Sequence, residues 1–550
     1  MSELAANDWW RRAIIYQVYP RSFQDTNGDG VGDIQGIIKH LDYLKDLGVD
    51  ALWLSPVYAS PNRDYGYDIS DYYSVNPEYG TLDDMKQLIY EANTRGLRII
   101  MDLVVNHTSD QHQWFQESRN PSSPYRDYYI WQKGRKGLFG REKAPNNWTS
   151  FFTGPAWQKD DVSSEWYLHL FTKEQPDLNY HNPAVIEEVK KILNFWLDLG
   201  VDGFRCDVIN ILYKESLNNG KKRTSAGGRE YYLATEGTHK VLQEFYRDVW
   251  GPRGAFTVGE ATLGTLEQAK AFTKGDELTT VFGFDHMAQG PSLGSARKRL
   301  KKATIRWQTE LPWNTVFLEN HDQPRSVSVF GNSKKKFHDA SAKALASLIL
   351  TLRGTAFIYQ GEELGMTNAP FTSIKQSKDP VTKFIYRIGR KSLMPKKLAT
   401  KLAFSVGRDN ARTPMQWNID KNAGFTTGDP WMMVNPNYLT HNALIEDGEE
   451  SSVLNYYRTL AKVRREHTAL TDGTIEFYED EDPLFVYHRQ NEFENIIIFI
   501  NLSEKFIKAI TPMPESYEVL MATASHDDIA KHGQLLAPFE VRVLKYTTPA

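Results

Sequence analysis

Three acidic residues occupy positions in the chain from which acids can do chemistry. Asp207 ends the run VDGFRCD, Glu260 ends FTVGE and Asp322 ends TVFLENHD, so each follows an apolar, strand-like segment. Acids in such positions can act as a nucleophile, a general acid or a general base. An isolated acid at a strand end, however, is more often a helix cap or an ion-pair partner.

Charged and hydrogen-bonding residues accompany these acids. Arg205 precedes Asp207 by two residues and so lies on the same face of a strand, where its charge would keep that carboxylate ionised. Glu260 would need a pKa raised by burial or by neighbouring carboxylates. His107 follows the run RIIMDLVVN, and His321 lies within ENHD, so both offer hydrogen bonds to a sugar ring.

The elements that must position these residues alternate between short apolar runs and amphipathic stretches. Eight runs are typical of buried strands: IIYQVYP, ALWLSPVY, RIIMDLVV, VDGFRCDV, AFTVGE, TTVFGF, TVFLEN and TAFIYQG. Between them, segments such as IIKHLDYLKDLG and PAVIEEVKKILNFWLDLG have the apolar spacing of helices. The alternation predicts an α/β fold, the (β/α)8 TIM barrel, in which catalytic groups follow the carboxyl ends of the strands.

Irregular segments and a C-terminal region stand outside the barrel pattern. Residues 107–180 are predicted to form an inserted subdomain after the third strand, and residues 367–409, with the basic run GRKSLMPKKLATK, a lid after the eighth. The alternating runs LFVYHRQ, NIIIFINLS and EVRVLKY predict a C-terminal all-β domain, a β-sandwich. The predicted domains are the barrel at 1–106 and 181–471, the inserted subdomain at 107–180 and the C-terminal domain at 472–550.

Four ordered segments, VVNH, GFRCDV, TVGE and ENHD, resemble the signature segments of the α-amylase superfamily, glycoside hydrolase family thirteen. QPDLN at 175–179 looks like the marker of its oligo-1,6-glucosidase branch, and the resemblance runs through nearly the whole chain. The resemblance implies that Asp207 is the nucleophile and Glu260 the general acid and base. It also implies that Asp322 binds sugar hydroxyls and stabilises the transition state.

The same resemblance implies the residues of a glucose pocket. In YGYDISDYY, Tyr67 resembles the family's stacking tyrosine and Asp68 the aspartate that grips the non-reducing glucose, with Arg412 as its partner. A pocket closed in this way favours removal of terminal glucose. Phe152 and Phe171 are predicted pocket walls, although aromatic residues in the inserted segment are as often subdomain core.

The predicted linkage preference depends on Val208, which follows the nucleophile. Valine at this position resembles the α-1,6-selective type of the family, whereas threonine accompanies α-1,4-selective enzymes and sucrose isomerases. We therefore expect an exo-acting, retaining α-glucosidase that acts on short α-1,6-linked gluco-oligosaccharides such as isomaltose and panose.

Other readings remain open. Trehalose-6-phosphate hydrolases share the DVIN-type segment, and a phosphorylated sugar would need a basic patch, for which Lys214 or the lysines of residues 367–409 are available. Sucrose isomerases share a segment like GMTN at 365–368, and hydrolysis of α-1,4 links or of sucrose is a further alternative. A non-catalytic binding module is the least favoured, because such members of the family carry a membrane anchor.

The segment DTNGDGVGD resembles the first part of an EF-hand loop. Its candidate ligands alternate along the chain, and they are Asp25, Asn27, Asp29 and Asp33, with a carbonyl from Val31. The closing glutamate is replaced by Gly36, which excludes a complete EF-hand. Because the same loop in the oligo-1,6-glucosidase branch binds calcium, the resemblance implies structural Ca2+, replaceable by Mg2+, and no organic cofactor.

Composition excludes several classes of protein. The formal net charge of −4 is small for 550 residues and the basic residues are scattered, so nucleic acid is not an expected partner. We see no secretion signal at the N-terminus and no apolar run long enough to span a membrane. Cys206 is the only cysteine, which allows no intramolecular disulfide. We expect a cytoplasmic enzyme, a monomer or a small homo-oligomer, whose partner is an oligosaccharide substrate.

Overall fold

The computed structural model describes residues 6–137, 142–287 and 293–547. Eight parallel strands, numbered in chain order, form one sheet; they are β1 (Ile14–Val18), β2 (Ala51–Leu54), β3 (Arg98–Leu103), β4 (Gly203–Cys206), β5 (Phe256–Glu260), β6 (Thr280–Phe282), β7 (Thr315–Val316) and β8 (Thr355–Tyr359). Their order is β6-β5-β4-β3-β2-β1-β8-β7. Starting from the break between β6 and β7, this is the order of the strands around an eight-stranded barrel. The predicted (β/α)8 fold is therefore confirmed. Each predicted run contains one of the strands.

The register of the sheet brings distant parts of the chain together. In β4, Arg205 lies opposite Asp102 of β3 on one side and opposite Val258 of β5 on the other. All four residues of β4 are buried, as expected for a strand covered on both faces. A charged side chain at such a position must find partners on the neighbouring strands.

Helices alternate with these strands. The longer α-helices are Ile34–Lys39, Leu41–Leu47, Leu82–Thr94, Gln113–Ser118, Pro183–Asp198, Glu236–Phe245, Leu266–Phe272, Leu293–Glu310, His338–Thr351, Pro380–Lys391, Lys396–Val406 and Val453–Glu466. The segment PAVIEEVKKILNFWLDLG forms a helix as predicted, with Asn182 as its N-cap and Pro183 at its first position. IIKHLDYLKDLG instead forms two helices that meet at His40.

An irregular region with little regular structure follows β3, as the sequence predicts. It contains a three-stranded antiparallel sheet of Trp131–Gln132, Trp166–Leu168 and Trp157–Lys159 and a two-stranded one of Arg135–Lys136 and Glu142–Lys143. An apolar cluster that includes Trp148, Trp157, Leu168 and Leu170 packs beneath them.

The C-terminal region is a five-stranded antiparallel sheet of β9 (Thr474–Phe477), β10 (Leu484–Gln490), β11 (Asn495–Asn501), β12 (Glu518–Ala522) and β13 (Val541–Tyr546), in the order β9-β10-β11-β13-β12. A two-stranded sheet of Ile507–Lys508 and Leu535–Leu536 packs in the same apolar cluster as β10, β11 and β13. The region is not wholly β, because His526–His532 forms a short helix that the strand pattern did not predict.

Packing divides the chain into two compact units. The central unit is Trp53–Tyr90 with Arg98–Gly283 and contains β3 to β6; the terminal unit is Met1–Leu52, Glu91–Leu97 and Phe284–Ala550 and contains β1, β7, β8 and the C-terminal sheet. No helix among residues 6–137, 142–287 and 293–547 is both long enough and apolar enough to cross a membrane.

Candidate active site

Arg205 is the centre of the carboxylate cluster in the central unit. Its Nη1 donates to Asp207 Oδ1 at 2.7 Å and to Asp102 Oδ1 at 2.7 Å, and its Nη2 donates to Glu260 Oε2. The Arg205 side chain is 2% exposed, so these ion pairs are shielded from water. The predicted pairing with Asp207 is present, and the guanidinium also holds Glu260 beside Asp207.

Asp102, which the sequence reading missed, is the third carboxylate of this cluster. Its Oδ2 accepts hydrogen bonds from Trp53 Nε1 at 3.2 Å and from Tyr67 OH at 3.1 Å, while its Oδ1 accepts from Arg205. The run RIIMDLVVNH placed Asp102 inside a strand, where an acid buried in an apolar run was the available signal. A buried charge at such a position is expected only with a partner.

Burial and the neighbouring charges shift the pKa values of these acids. Burial raises the pKa of Asp207 to about 7, although the Arg205 guanidinium and a hydrogen bond with Glu260 oppose the rise. Burial likewise raises the pKa of Asp102 to about 6, again opposed by Arg205. One guanidinium cannot neutralise three carboxylates. Asp207 and Glu260 are also hydrogen-bonded to each other, so the two carboxyls can share one proton.

Val208, which follows Asp207, has a left-handed backbone conformation. Its φ is 36° and its ψ is 39°, a region that branched residues rarely adopt and that carries strain. The Val208 side chain packs with Trp148, Leu168 and Ile211, and its amide lies 3.4 Å from Glu260 Oε2. The turn therefore sets the side chain of Val208 and the two carboxylates in fixed relative positions.

Tyr67 and His107 also lie in the central unit, which contains Arg205. The Tyr67 ring lies 5.8 Å from the Arg205 guanidinium carbon, and the Tyr67 carbonyl accepts from Gln175 Nε2 and His107 Nε2, each at 3.0 Å. Burial lowers the pKa of His107, so its ring is neutral. Both of its nitrogens meet protein groups, since Nδ1 lies 3.2 Å from Asn106 Nδ2. His107 is placed to orient Tyr67, and a direct bond to sugar would have to displace one of these partners.

The predicted aromatic walls lie near His107. The Phe171 ring lies 5.1 Å from the His107 ring and 5.6 Å from that of Phe152, and both phenylalanines are half-buried. Phe151 stacks on the other face of Phe171 at 5.1 Å. The group therefore combines subdomain core with a partly exposed apolar surface.

Asp68 does not take the position predicted for it. The residue is 0% exposed, and its oxygens accept from Ser60 Oγ at 3.1 Å, Arg63 N at 2.9 Å and Asp64 N at 2.9 Å. Burial raises its pKa to about 6. With its oxygens turned to its own loop, Asp68 shapes that loop and offers no exposed oxygen to a glucose hydroxyl. The loop it holds carries Asp64, whose Oδ2 lies 3.5 Å from Gln175 Nε2.

Lys214 is not available as a phosphate-binding residue. It is 3% exposed, and its Nζ pairs with Asp177 Oδ2 at 2.8 Å and donates to Asn106 Oδ1 at 2.9 Å. Asp177, in QPDLN, also accepts from Leu170 N at 2.7 Å. Lys214 and Asp177 thus form one buried ion pair, which ties the lysine to the inserted segment. The lysines of residues 367–409 are instead exposed, and most of them lie on helices Pro380–Lys391 and Lys396–Val406.

In the terminal unit, Asp322 is the centre of a second charged group. Its Oδ1 accepts from Arg412 Nη2 at 2.7 Å and lies 3.6 Å from Arg408 Nη1, while Oδ2 lies 3.3 Å from His321 Nε2. Arg412 was predicted to pair with Asp68; within its own unit it pairs with Asp322. The side chain of Asp322 is 31% exposed, so it keeps access to a ligand despite these partners.

His321 is wholly buried, and its Nδ1 lies 2.8 Å from Gln17 Nε2. Its ring stacks on Tyr19 at 6.2 Å, and the Arg412 guanidinium lies 5.4 Å over the same tyrosine. These contacts fix the orientation of Asp322, which follows β7 at its carboxyl end.

The oxygen-rich loop after β1 has a backbone fold that suits a hard cation. Asp25 Oδ1 accepts from Asn27 N at 2.9 Å and Asn27 Oδ1 from Asp29 N at 2.9 Å, while Asp29 Oδ1 accepts from Val31 N at 2.8 Å. These successive turns tie the side-chain oxygens of Asp25, Asn27 and Asp29 to amides of the same loop. Asp33 caps the helix that begins at Ile34 and accepts from Thr26 with its other oxygen. The donor set contains oxygen alone, which fits Ca2+ better than a softer metal.

A buried arginine that holds two carboxylates at the ends of neighbouring strands in a (β/α)8 barrel defines the class: this is a glycoside hydrolase. The chain belongs to the α-amylase family, since the model of the alpha-amylase catalytic domain matches residues 17–473.

Individual relatives cover almost the whole chain. It is 45% identical to the oligo-1,6-glucosidase of Parageobacillus thermoglucosidasius, with 98% of this chain and 99% of that protein covered. It is 40% identical to the trehalose-6-phosphate hydrolase of Bacillus subtilis strain 168, with 98% and 99% covered. Among solved structures, the trehalulose synthase of Pseudomonas mesoacidophila MX-45 superposes with a TM-score of 0.89 at 39% identity, with 98% and 99% covered.

Proposed function

We propose that the protein is an exo-acting, retaining α-glucosidase that releases glucose from the non-reducing end of short α-1,6-linked gluco-oligosaccharides such as isomaltose and panose. The observation that carries the proposal is the shared guanidinium of Arg205, which bonds Asp207 through Nη1 and Glu260 through Nη2. The two carboxyls are also hydrogen-bonded to each other, which leaves no room for a water between them. Retaining glycosidases hold their carboxyls close together, about 5 Å apart, whereas inverting enzymes need room for a water.

In the proposed reaction each carboxyl has its own step. Asp207 attacks C1 of the terminal glucose while the Glu260 proton passes to the glycosidic oxygen, so the C1–O bond breaks and a glucosyl ester forms. Glu260, then a carboxylate, takes a proton from water; the water oxygen attacks C1 and the ester breaks, which returns both carboxyls to their first state. We assign Asp322 the binding of sugar hydroxyls, because its carboxylate is partly exposed and fixed by Arg412.

The α-1,6 preference is supported by Val208 and by the name of the 45% identical relative. Val208 offers shape alone beside the nucleophile, where a threonine would add a hydroxyl that can orient a different leaving sugar. Trehalose-6-phosphate is the substrate named for another relative. The buried ion pair of Lys214 removes one cation that this second reading would use.

A substrate panel tests the proposal. Isomaltose, panose, maltose, sucrose, trehalose and trehalose-6-phosphate are compared by kcat/KM, with Asp207→Asn as the inactive control. We expect the highest kcat/KM values for isomaltose and panose. Preference for trehalose-6-phosphate, or isomers of sucrose among the products, would replace the α-1,6 assignment, and no cleavage of any sugar would favour a binding module.

We also propose that the loop from Asp25 to Asp33 binds Ca2+ with Asp25, Asn27, Asp29 and Asp33 and a carbonyl from Val31. When bound, the ion would neutralise the loop acids and hold the loop against Thr426, whose hydroxyl donates to Asp25. The role is structural, and Mg2+ is the expected substitute. A cytoplasmic location and a monomeric or small homo-oligomeric state stay predictions.

A further inference from the structure

A second cluster of metal-ligating residues lies in the terminal unit, apart from the carboxylates described above. In the part of the chain that the structure describes, His338, Asp339 and His441 form the one group of three such residues whose ligand atoms all lie within 4.8 Å of one another. His338 and Asp339 begin the helix His338–Thr351, and His441 precedes the helix Ala443–Asp447. Neither the proposed reaction nor the calcium loop uses them.

The ring of His338 is held in one orientation. Its Nε2 lies 2.8 Å from the carbonyl oxygen of Gly365, which can only accept, so Nε2 carries the proton. A Cβ on Gly365 would lie 2.9 Å from His338 Cε1, and the φ of Gly365 is +60°, so glycine is what lets the carbonyl approach the ring. A histidine that donates one N–H to a backbone carbonyl and turns its other nitrogen to a ligand is the usual arrangement at a metal.

The other nitrogen of His338 faces a negative charge. Its Nδ1 lies 2.6 Å from Asp339 Oδ1. In the neutral imidazole fixed by Gly365, this contact sets a nitrogen lone pair against a carboxylate oxygen, which is repulsive. Either a second proton or a metal cation must relieve the contact. The Asp339 side chain is 59% exposed, so it can move aside to share a cation with the ring.

His441 and Glu446 supply the independent observation. The His441 ring lies 4.1 Å from the His338 ring, and its Nδ1 lies 4.0 Å from Glu446 Oε1. Glu446 is 5% exposed, and its Oε1 accepts no hydrogen bond from any residue that the structure describes, whereas its Oε2 accepts from Leu454 N at 3.1 Å. A buried carboxylate oxygen without a partner is costly and rare in native proteins. It is directed toward the same histidine pair.

The local charges leave room for a cation. Three acids, Asp339, Glu446 and Glu449, act on Lys343, whose Nζ donates to the carbonyl of Ser451. One lysine does not balance the acids around it, so the local charge is compatible with a bound cation.

We propose that His338 Nδ1, Asp339 and a ring nitrogen of His441 form a structural site for a borderline divalent metal, with Zn2+ as the expected ion and Glu446 as an outer carboxylate or fourth ligand. Two imidazoles and a carboxylate favour Zn2+ over Ca2+ or Mg2+, which take oxygen ligands. The metal would tie the start of the helix His338–Thr351 to the segment before helix Ala443–Asp447. Through His338 it would also fix the loop after β8, because that loop carries Gly365.

Zn2+ binding to the full-length enzyme tests the site. The protein is prepared without a histidine tag, stripped with a chelator and kept in excess Ca2+, so that the calcium loop does not contribute. We expect about one Zn2+ per chain by elemental analysis and a Co2+ derivative with the visible spectrum of low coordination. Asp339→Asn and His441→Gln should each weaken Zn2+ binding by about tenfold or more. Both residues are partly exposed, so the variants are expected to fold.

His526→Gln is the matched control, because His526 is an exposed histidine followed by two aspartates and so measures surface binding. It should bind Zn2+ as the unmodified enzyme does. Zn2+ bound equally by Asp339→Asn, His441→Gln and the parent would overturn the proposal. So would a parent enzyme that binds no more Zn2+ than a variant carrying both Asp339→Asn and His441→Gln.

Discussion

Replacing Asp102 by asparagine should move the acid limb of the pH profile of kcat/KM to lower pH. Asp102 Oδ1 and Asp207 Oδ1 each lie 2.7 Å from the same Arg205 nitrogen. The two oxygens are therefore about 5 Å apart, and at an effective dielectric constant of about 20 their repulsion is about 3 kcal/mol. Removing one charge would lower the pKa of Asp207 by up to about two units, since each unit is about 1.4 kcal/mol.

The direction in which the acid limb moves follows from the proposed role of Asp207 as the nucleophile. Below its pKa the nucleophile is protonated and cannot attack, so activity is lost as pH falls through that value. Burial raises the pKa of Asp207 to about 7, and the Asp102 charge contributes to the rise. In the parent enzyme the acid limb should therefore lie well above the pH of about 4 expected for an ordinary aspartate. In Asp102→Asn we expect it one to two pH units lower, by an order-of-magnitude estimate.

Stability must be measured beside activity. The asparagine keeps one acceptor oxygen, so its NH2 group would face either Arg205 or the Trp53 and Tyr67 donors, at a cost of about 1.5–3 kcal/mol for the lost charged hydrogen bond. Initial rates on isomaltose from pH 4 to 9, about half a unit apart, with thermal melts at each pH, separate the two effects. Asp83→Asn is the control, because that side chain is 88% exposed and pairs with Lys86 at the surface. An acid limb that stays in place in a folded Asp102→Asn enzyme would refute the electrostatic argument.

Four further predictions follow from the geometry. Glu260→Gln should slow alkyl and sugar glycosides far more than aryl glucosides with good leaving groups, and a uniform loss across leaving groups in steady-state assays would argue against its acid role. Val208→Thr keeps the branched side chain and adds a hydroxyl, so the ratio of kcat/KM for isomaltose over maltose should fall by about tenfold, or about 1–3 kcal/mol, and an unchanged ratio would remove Val208 from the specificity argument. Lys214→Met should lower the free energy of unfolding by about 3–5 kcal/mol in denaturant melts, because Asp177 is left buried without its cation, whereas Lys221→Met at an exposed site should change little. Chelation should lower the melting temperature and added Ca2+ restore it, and a melting temperature indifferent to both would mean that the oxygen-rich loop does not hold the ion.

The sequence predicted those features whose pattern lies in residues that are neighbours in the chain. The alternation of apolar runs and amphipathic segments located all eight strands, because the apolar pattern that predicts a strand is contained in the strand's own residues. The split of IIKHLDYLKDLG at His40 and the helix His526–His532 were missed, since apolar spacing alone does not mark where a short helix stops or interrupts a sheet. Asp68 was predicted to grip a sugar, but its carboxylate bonds its own loop, because a motif gives the types of residue in a loop without giving the directions of their side chains.

The sequence by itself determined the fold, the family and the position of Asp207, Glu260 and Asp322 behind their strands, because strand period and strand ends are local properties. Only the tertiary structure determined which charged side chains pair with one another. Asp102 stands 103 residues from Arg205 and becomes its neighbour through the register of β3 and β4. Lys214 meets Asp177 in the same way, across an irregular segment. Parallel strands are joined by long crossovers, so the side chains that set charge and protonation at this site are adjacent in the sheet and remote in the chain.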